Sequence, residues 1–184
     1  MTESTVPAFV TRFLHVWHML ERWIAVIAFS LIGFLIFADV AGRELVGPVG
    51  RALGLEIGAT GIYGAGKMAL FLLVIAAFAG LGVSVATGAQ IVPRIAFKWI
   101  PDSWAPAVDR LGSLVSAFVL FATAYYGAIF VISSRDIGTV MPGLDWPVWI
   151  IQTAIPVGFA SAGLRYLAFA IWPQSAPVRE EMHE

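Results

Sequence analysis

The sequence contains no cysteine, and only three of its 184 residues are histidine. Without cysteine there is no disulfide, no thiol nucleophile, no thiolate metal site and no dithiol redox pair. The histidines, His15, His18 and His183, all lie outside the long apolar runs. A haem held inside a helical bundle needs axial imidazoles there, so that class is excluded. Charge is scarce too: 12% of residues are Asp, Glu, Lys or Arg, and the net charge is −1. Globular chains carry about 25% charged residues, and a chain with no basic excess has no electrostatic footprint for nucleic acid. No P-loop, G-x-S-x-G or H-E-x-x-H pattern occurs. These absences argue against an enzyme and leave no cofactor or metal to expect.

Apolar residues are abundant, at 59% of the chain. A helix needs ~20 mostly apolar residues to cross the hydrocarbon, and four runs qualify, at about 23–40, 66–87, 111–132 and 147–170. The fold expected is an all-α membrane protein with four transmembrane helices, a single membrane domain over 1–184. The first run exceeds the length of a signal-peptide core, and FADVAGRE after it offers no small-residue cleavage site, so it reads as a retained helix. Seven of the eleven lysines and arginines (Arg12, Arg22, Arg94, Lys98, Arg110, Arg165, Arg179) fall on the side of the two termini. Arg43, Arg51, Lys67 and Arg135 fall on the other. The positive-inside rule then places both termini in the cytoplasm.

Two further stretches have helical amphipathic spacing. Phe9, Phe13, Val16, Trp17 and Leu20 recur on one side of residues 6–20, and Ile95, Ala96, Trp99 and Ile100 oppose Arg94 and Lys98 near 93–100. Both suit short helices lying in the membrane interface, the alternative being cytosolic helices packed on the bundle. The connection GPVGRALGLEIGATGIYGAGK is glycine-rich and is expected to fold over the outer face.

An ionisable residue inside a span is a functional candidate by default. Asp39 sits ~12 Å from the middle of the first span at the helical rise, near the hydrocarbon boundary, with Arg43 one turn on. Glu21 is eighteen residues before it on the same helix side, so acids bracket this span at both surfaces. A structural anchor is the reading favoured over an ion site. In the last span, Ala154, Gly158, Ser161, Ala162 and Arg165 share one face, a small-residue packing surface. Arg165 extends from its end and can snorkel or find a partner. Trp149, Gln152, Pro156 and Gly163 lie roughly opposite, and Pro156 deprives the Gln152 carbonyl of its helical hydrogen bond. Both faces therefore need protein cover, which asks for a partner. Ala76, Gly80 and Ser84 in the second span and Ser116, Thr123 and Gly127 in the third add ordinary packing patterns. No midplane polar cluster or inverted repeat suggests a transport site in this chain alone.

From about Glu21 to Arg165 the chain resembles the small membrane subunit, the DctQ-type Q component, of tripartite ATP-independent periplasmic (TRAP) transporters. The residues carrying the resemblance are Glu21, Asp39-Val40-Ala41-Gly42-Arg43, and MPGLDWPVWIIQTAIPVGF with Arg165 after it. The middle departs: the family's Gly-His-Ile-x-Val-Asp-like stretch is GAQIVPRI here, with Gln90 at the histidine position and Pro93-Arg94 for Val-Asp. The resemblance implies a bacterial inner-membrane scaffold without catalytic residues. Its partners would be a large membrane subunit, the M component, with an elevator-type transport domain and the coupling sodium sites, and a periplasmic protein delivering an organic acid. The bilayer is its solvent. Candidate interface or helix-packing residues are Glu21, Asp39, Arg43, Trp146, Trp149, Gln152, Pro156, Gly158 and Arg165. The alternatives are a self-sufficient homo-oligomeric transporter and an assembly or regulatory membrane protein unrelated to transport.

Overall fold

The structure, a computed structural model, describes residues 6–89, 101 and 103–177. The amphipathic stretch at 93–100 and most of GAQIVPRI lie outside the described residues. Among the described residues six α-helices form: α1 (Ala8–Ala41), α2 (Gly47–Ala52), α3 (Ala65–Thr87), α4 (Ala105–Ile137), α5 (Trp149–Gln152) and α6 (Ala154–Ile171). A wider turn, Gly42–Val46, joins α1 to α2 without a break, the Gly47 N–H bonding back five residues to the Gly42 carbonyl. Among the described residues there is no β-strand, only one isolated antiparallel bridge between Val140 and Pro147.

Four of these units are long and apolar enough to cross a membrane: Ala8–Ala52, Ala65–Thr87, Ala105–Ile137 and Trp149–Ile171. The first is 45 residues, about 68 Å at the helical rise, more than twice the ~30 Å of hydrocarbon. The stripe at 6–20, expected to be a helix of its own, is instead the beginning of α1. The chain between Pro7 and Ala41 contains no proline or helix-stopping glycine pair, so nothing interrupts the ladder. Likewise the first half of the glycine-rich connection continues the rod, with Pro48 tolerated in the opening turn of α2. Glycines in left-handed conformation mark the other boundaries: Gly64 (φ 76°) before α3, Gly88 (φ 70°) after it, and Gly138 (φ 70°) after α4. The last span is broken at Thr153, because Pro156 cannot donate to the Gln152 carbonyl.

The helices pack as a row rather than a ring: α1 on α3, α3 on α6 and α6 on α4. The buried apolar residues are small or medium, among them Ala28, Ala69, Ala76, Ala117, Ala124, Ala162 and Ala168. Among the described residues no large side chain is fully enclosed. In lipid, large apolar side chains gain little by leaving the solvent, so close backbone approach through small residues drives association. The row also changes one reading of the sequence. The two protein-facing sides of the last span do not call for a second protein, because α6 is an interior member of the row. Its Gly158 side meets Phe78 of α3, and Gly163 lies against the Phe121 ring of α4.

Gly158 has no room for a side chain: a Cβ there would lie 2.8 Å from Phe78 Cβ and 2.9 Å from its carbonyl oxygen. Gly158→Ala is expected to force α3 and α6 apart and lower stability by ~1–3 kcal/mol. Gly33→Ala, where a Cβ meets nothing within 4 Å, leaves stability unchanged or slightly raised. Denaturant unfolding of both variants in bicelles measures the contrast.

Candidate functional site

Glu21 on α1 and Ser161 and Arg165 on α6 converge at one end of the row. Arg165 Nη2 donates to Glu21 Oε2 at 2.6 Å, and Nη1 donates to Glu21 Oε1 at 3.3 Å. Nη1 also donates to Ser161 Oγ at 2.8 Å, an i to i+4 contact within α6. The Ser161 hydroxyl in turn donates to Glu21 Oε1. Trp17, one turn before Glu21, points its indole N–H at both Glu21 Oε1 (3.0 Å) and Ser161 Oγ (2.8 Å). The pair is almost sealed, with side-chain exposures of 3% for Arg165 and 8% for Glu21. Space for the carboxylate comes from α3: a Cβ on Gly82 would stand 2.3–2.5 Å from its atoms.

Two charges desolvated together are tolerated only with near-complete hydrogen bonding. Here both carboxylate oxygens accept, and the serine hydroxyl uses its donor and both lone pairs. The serine hydroxyl and both carboxylate oxygens are thus engaged within the cluster. The arrangement is a lock joining α1, α3 and α6, without the exchangeable groups that an ion or substrate site needs. His18, three residues before Glu21, has its Nδ1 buried without a hydrogen-bond partner.

Asp39 lies eighteen residues further along α1, ~27 Å away at the helical rise. Its Oδ2 accepts from Arg43 Nη2 at 2.5 Å, and its Oδ1 accepts from the Ile62 backbone N–H at 2.9 Å. The second bond docks the loop after α2 back onto the helix. The loop lies so close that a Cβ on Gly42 would clash with the Thr60 carbonyl and one on Gly61 would meet Asp39 Oδ1 at 2.7 Å. Thus the glycine-rich connection folds along the rod that precedes it. An open cleft of about 640 Å³ remains between loop and helix, lined by Asp39, Arg43, Arg51 and Thr60 among others. Arg43 is 59% exposed, so its pairing with Asp39 adds little stability.

At the same end, residues 139–148 form a tight hairpin. The Met141 N–H bonds to the Trp146 carbonyl and the Val148 N–H to the Thr139 carbonyl. Lys67 at the start of α3 donates to the Pro142 carbonyl at 2.5 Å. Trp146 is exposed, whereas Trp149 lies under the Arg135 guanidinium, 5.5 Å from the ring centroid. Gln152 Oε1 is buried with no hydrogen-bond partner. Pro156 packs over Gly127 of α4, where a Cβ would be 3.5 Å from Pro156 Cβ.

The nine candidates therefore divide by place. Glu21 and Arg165 meet at one end, Asp39, Arg43, Trp146 and Trp149 occupy the other, and Gln152, Pro156 and Gly158 flank the break in the last span. Among the described residues no group of three His, Asp or Glu could hold a metal. Sequence reasoning put Ser161 on the Arg165 face but gave Trp17 only a place in an apolar stripe, and it did not single out Gly82. The i to i+4 spacing of Trp17 and Glu21 was the available hint for the first. For Gly82, whose role is to be absent as a side chain, the sequence offers none.

Residues 32–173 match the family described as tripartite ATP-independent periplasmic transporters, DctQ component. The chain is also 27% identical over 152 residues to the ectoine TRAP transporter small permease protein TeaB of Halomonas elongata, spanning 83% of this chain and 72% of that protein. No solved structure matches.

Removing one member of the buried pair should cost far more than removing both. Arg165→Ala is expected to lose ~3–5 kcal/mol by stranding the Glu21 carboxylate. The Glu21→Leu/Arg165→Met double variant should recover much of it. A double-mutant cycle from reversible unfolding checks this; strictly additive losses would show that the two charges are not coupled.

Proposed function

This chain belongs to the DctQ component family of TRAP transporters, and on that premise we propose that it is the stationary scaffold of its transporter. It is the small permease component, a multi-pass protein of the bacterial inner membrane. Its proposed task is to bind the large membrane subunit, widen and brace that subunit's fixed part, and leave transport to it. The large subunit would carry the elevator-type moving domain and the coupling sodium sites. A periplasmic binding protein would deliver the substrate, an organic acid; the relative TeaB is named for ectoine. In this reading both termini face the cytoplasm, the Glu21–Arg165 lock lies toward that side, and the Asp39 loop and the 139–148 hairpin face the periplasm.

The observation that carries this reading is where the buried charge goes. The one ion pair buried among the described residues, Glu21–Arg165, is consumed by fastening helices together, and it lies toward one end of the spans. A carrier needs polar groups near the midplane that can exchange partners as substrate enters and leaves. The clefts between α1, α3 and the last span, about 300 and 360 Å³, are lined mainly by apolar residues. Glu21 and Trp17, which reach the first, are engaged in the lock, and Thr153 donates to the Ile150 carbonyl. Such a slab is suited to bearing load.

The expected result is that the chain co-purifies with its large subunit and, alone in liposomes, drives no substrate-dependent sodium uptake. In the reconstituted complex, Arg165→Ala should reduce the amount of assembled transporter and the maximal rate together. The KM and the sodium-to-substrate ratio should hold. Sodium uptake by this chain alone would overturn the scaffold role.

A further inference from the structure

The outer face of α4 carries two phenols at a depth where lipid cannot satisfy them. Helix α4 packs on α6 through Ala117, Ala124 and Val131, a stripe repeating every seven residues. Tyr126 lies half a turn round from that stripe, and Tyr125 beside it. They are 69% and 64% exposed, their rings in edge contact 5.5 Å apart. Neither hydroxyl has a hydrogen-bond partner among the described residues.

Their depth follows from the charges that bound the span. Asp109–Arg110 and Arg135–Asp136 bracket α4, and the two tyrosines lie only ~5 Å from the midpoint between them at the helical rise. The hydrocarbon boundary is ~15 Å from the centre. Exposed aromatics with polar tips normally belong to the interfacial belts. Trp104 and Trp146, both more than half exposed, sit next to helix ends in that way; Tyr125 and Tyr126 do not.

A short hydroxyl at this depth can turn back to its own helix, as Thr123 does by donating to the Val119 carbonyl at 2.8 Å. A phenol cannot, because its hydroxyl is carried outward at the far end of a rigid ring. Lipid ester and phosphate oxygens are out of reach, and hydrocarbon supplies no acceptor. Something with a polar group must therefore meet this face at mid-membrane. The aromatic and branched residues beside the phenols, Phe118, Val119, Ile129 and Phe130, are likewise exposed and give that neighbour an apolar bed.

We infer that the Tyr125–Tyr126 face of α4 is the seam along which a membrane helix of the large permease subunit packs, presenting a hydrogen-bond acceptor to the phenols near the midplane. The inference rests on the scaffold reading and names the surface through which it works. The fixed part of the large subunit can meet this need on a membrane helix packed there, with a carbonyl freed at a proline or glycine kink or with a polar side chain. A second copy of this chain fits less well. In a two-fold α4–α4 pairing the phenols would face only one another, and each hydroxyl pair would leave one donor without an acceptor. Among the described residues, α4 packs mainly on α6 and, at its end, on α5.

Because the chain has no cysteine, single thiols can be placed at will. Tyr126→Cys and, as a lipid-facing control on α1, Phe34→Cys (Phe34 is 66% exposed) are each labelled with benzophenone maleimide in the complex co-expressed with the large subunit. Illumination should cross-link position 126 to the large subunit and position 34 to lipid. In parallel, Tyr125→Phe and Tyr126→Phe, which keep the ring and remove only the hydroxyl, should weaken binding of the large subunit in bicelles roughly three- to fivefold each. Cross-links from 126 only to lipid or to a second copy, with the complex assembled, overturn the seam and leave the scaffold role standing. So does unchanged affinity in both Phe variants. A wild-type chain that does not bind the large subunit at all overturns both.

Discussion

The fold depends on a guanidinium and a carboxylate that have no water to turn to. Arg165 and Glu21 come from helices 144 positions apart in the chain and are stable inside the membrane only together. That requirement dictates several features around them. Ser161 must sit one turn before Arg165 to take its second bond, and Trp17 must sit one turn before Glu21 to donate to the same oxygen. Position 82 must be glycine, since any side chain would occupy the carboxylate's place. Three helices are thereby registered against one another at one end, in both rotation and depth, by a contact that no slide of a single turn preserves. Small-residue stripes such as Ala117, Ala124 and Val131 allow close approach but repeat every seven residues, so alone they tolerate slippage. The polar lock supplies the uniqueness that the apolar faces lack.

At the opposite end the same problem is solved with backbone. The α1 rod overshoots the hydrocarbon, the loop after α2 lies back along it, and Asp39 accepts the Ile62 N–H that fixes the loop in place. Lys67 then ties α3 to the 139–148 hairpin through the Pro142 carbonyl, and Arg135 covers Trp149 at the head of the last span. Each contact at this end is partly wet and individually weak. Together they connect the ends of α1, α3, α4 and α5 without a core. The row is thus clamped by one dry ion pair at one end and by a set of loop contacts at the other.

How much of this could be read from the sequence follows from which interactions are local. The four spans were legible because hydrophobic length is a one-dimensional property, and the Asp39–Arg43 approach was legible because four residues on a helix are neighbours in any fold. The break at Gln152 followed from proline chemistry alone. The continuous rod from Ala8 to Ala52 was obscured because charge and glycine, both cues for helix ends, lie within it at Glu21, Arg22, Gly42 and Gly47. Long-range choices were least legible. Helical geometry correctly divided Gly158, Ser161 and Arg165 from Gln152, Pro156 and Gly163. A closed four-helix bundle would leave one of those sides uncovered. In a row, an interior helix needs no second protein, and this chain's own α3 and α4 meet those faces.

That shift moves the question of partners to a different surface. Ser161 and Arg165 of the last span are already served within the chain, so the lock they form with Glu21 is not the reason for association. The reason must be sought where a polar group deep in the membrane is still unserved. Large apolar side chains facing outward say nothing here, since lipid suits them as well as protein does. Only a group that hydrocarbon cannot satisfy distinguishes the two. The tip of a phenol near the midplane is such a group, and α4, at the end of the row, presents two of them. A scaffold built on this plan keeps its own charges locked and shows its neighbour hydrogen-bond donors that hydrocarbon leaves unsatisfied and that gain a partner on assembly. The same economy explains why the chain can be nearly devoid of midplane charge and still be specific about what it binds.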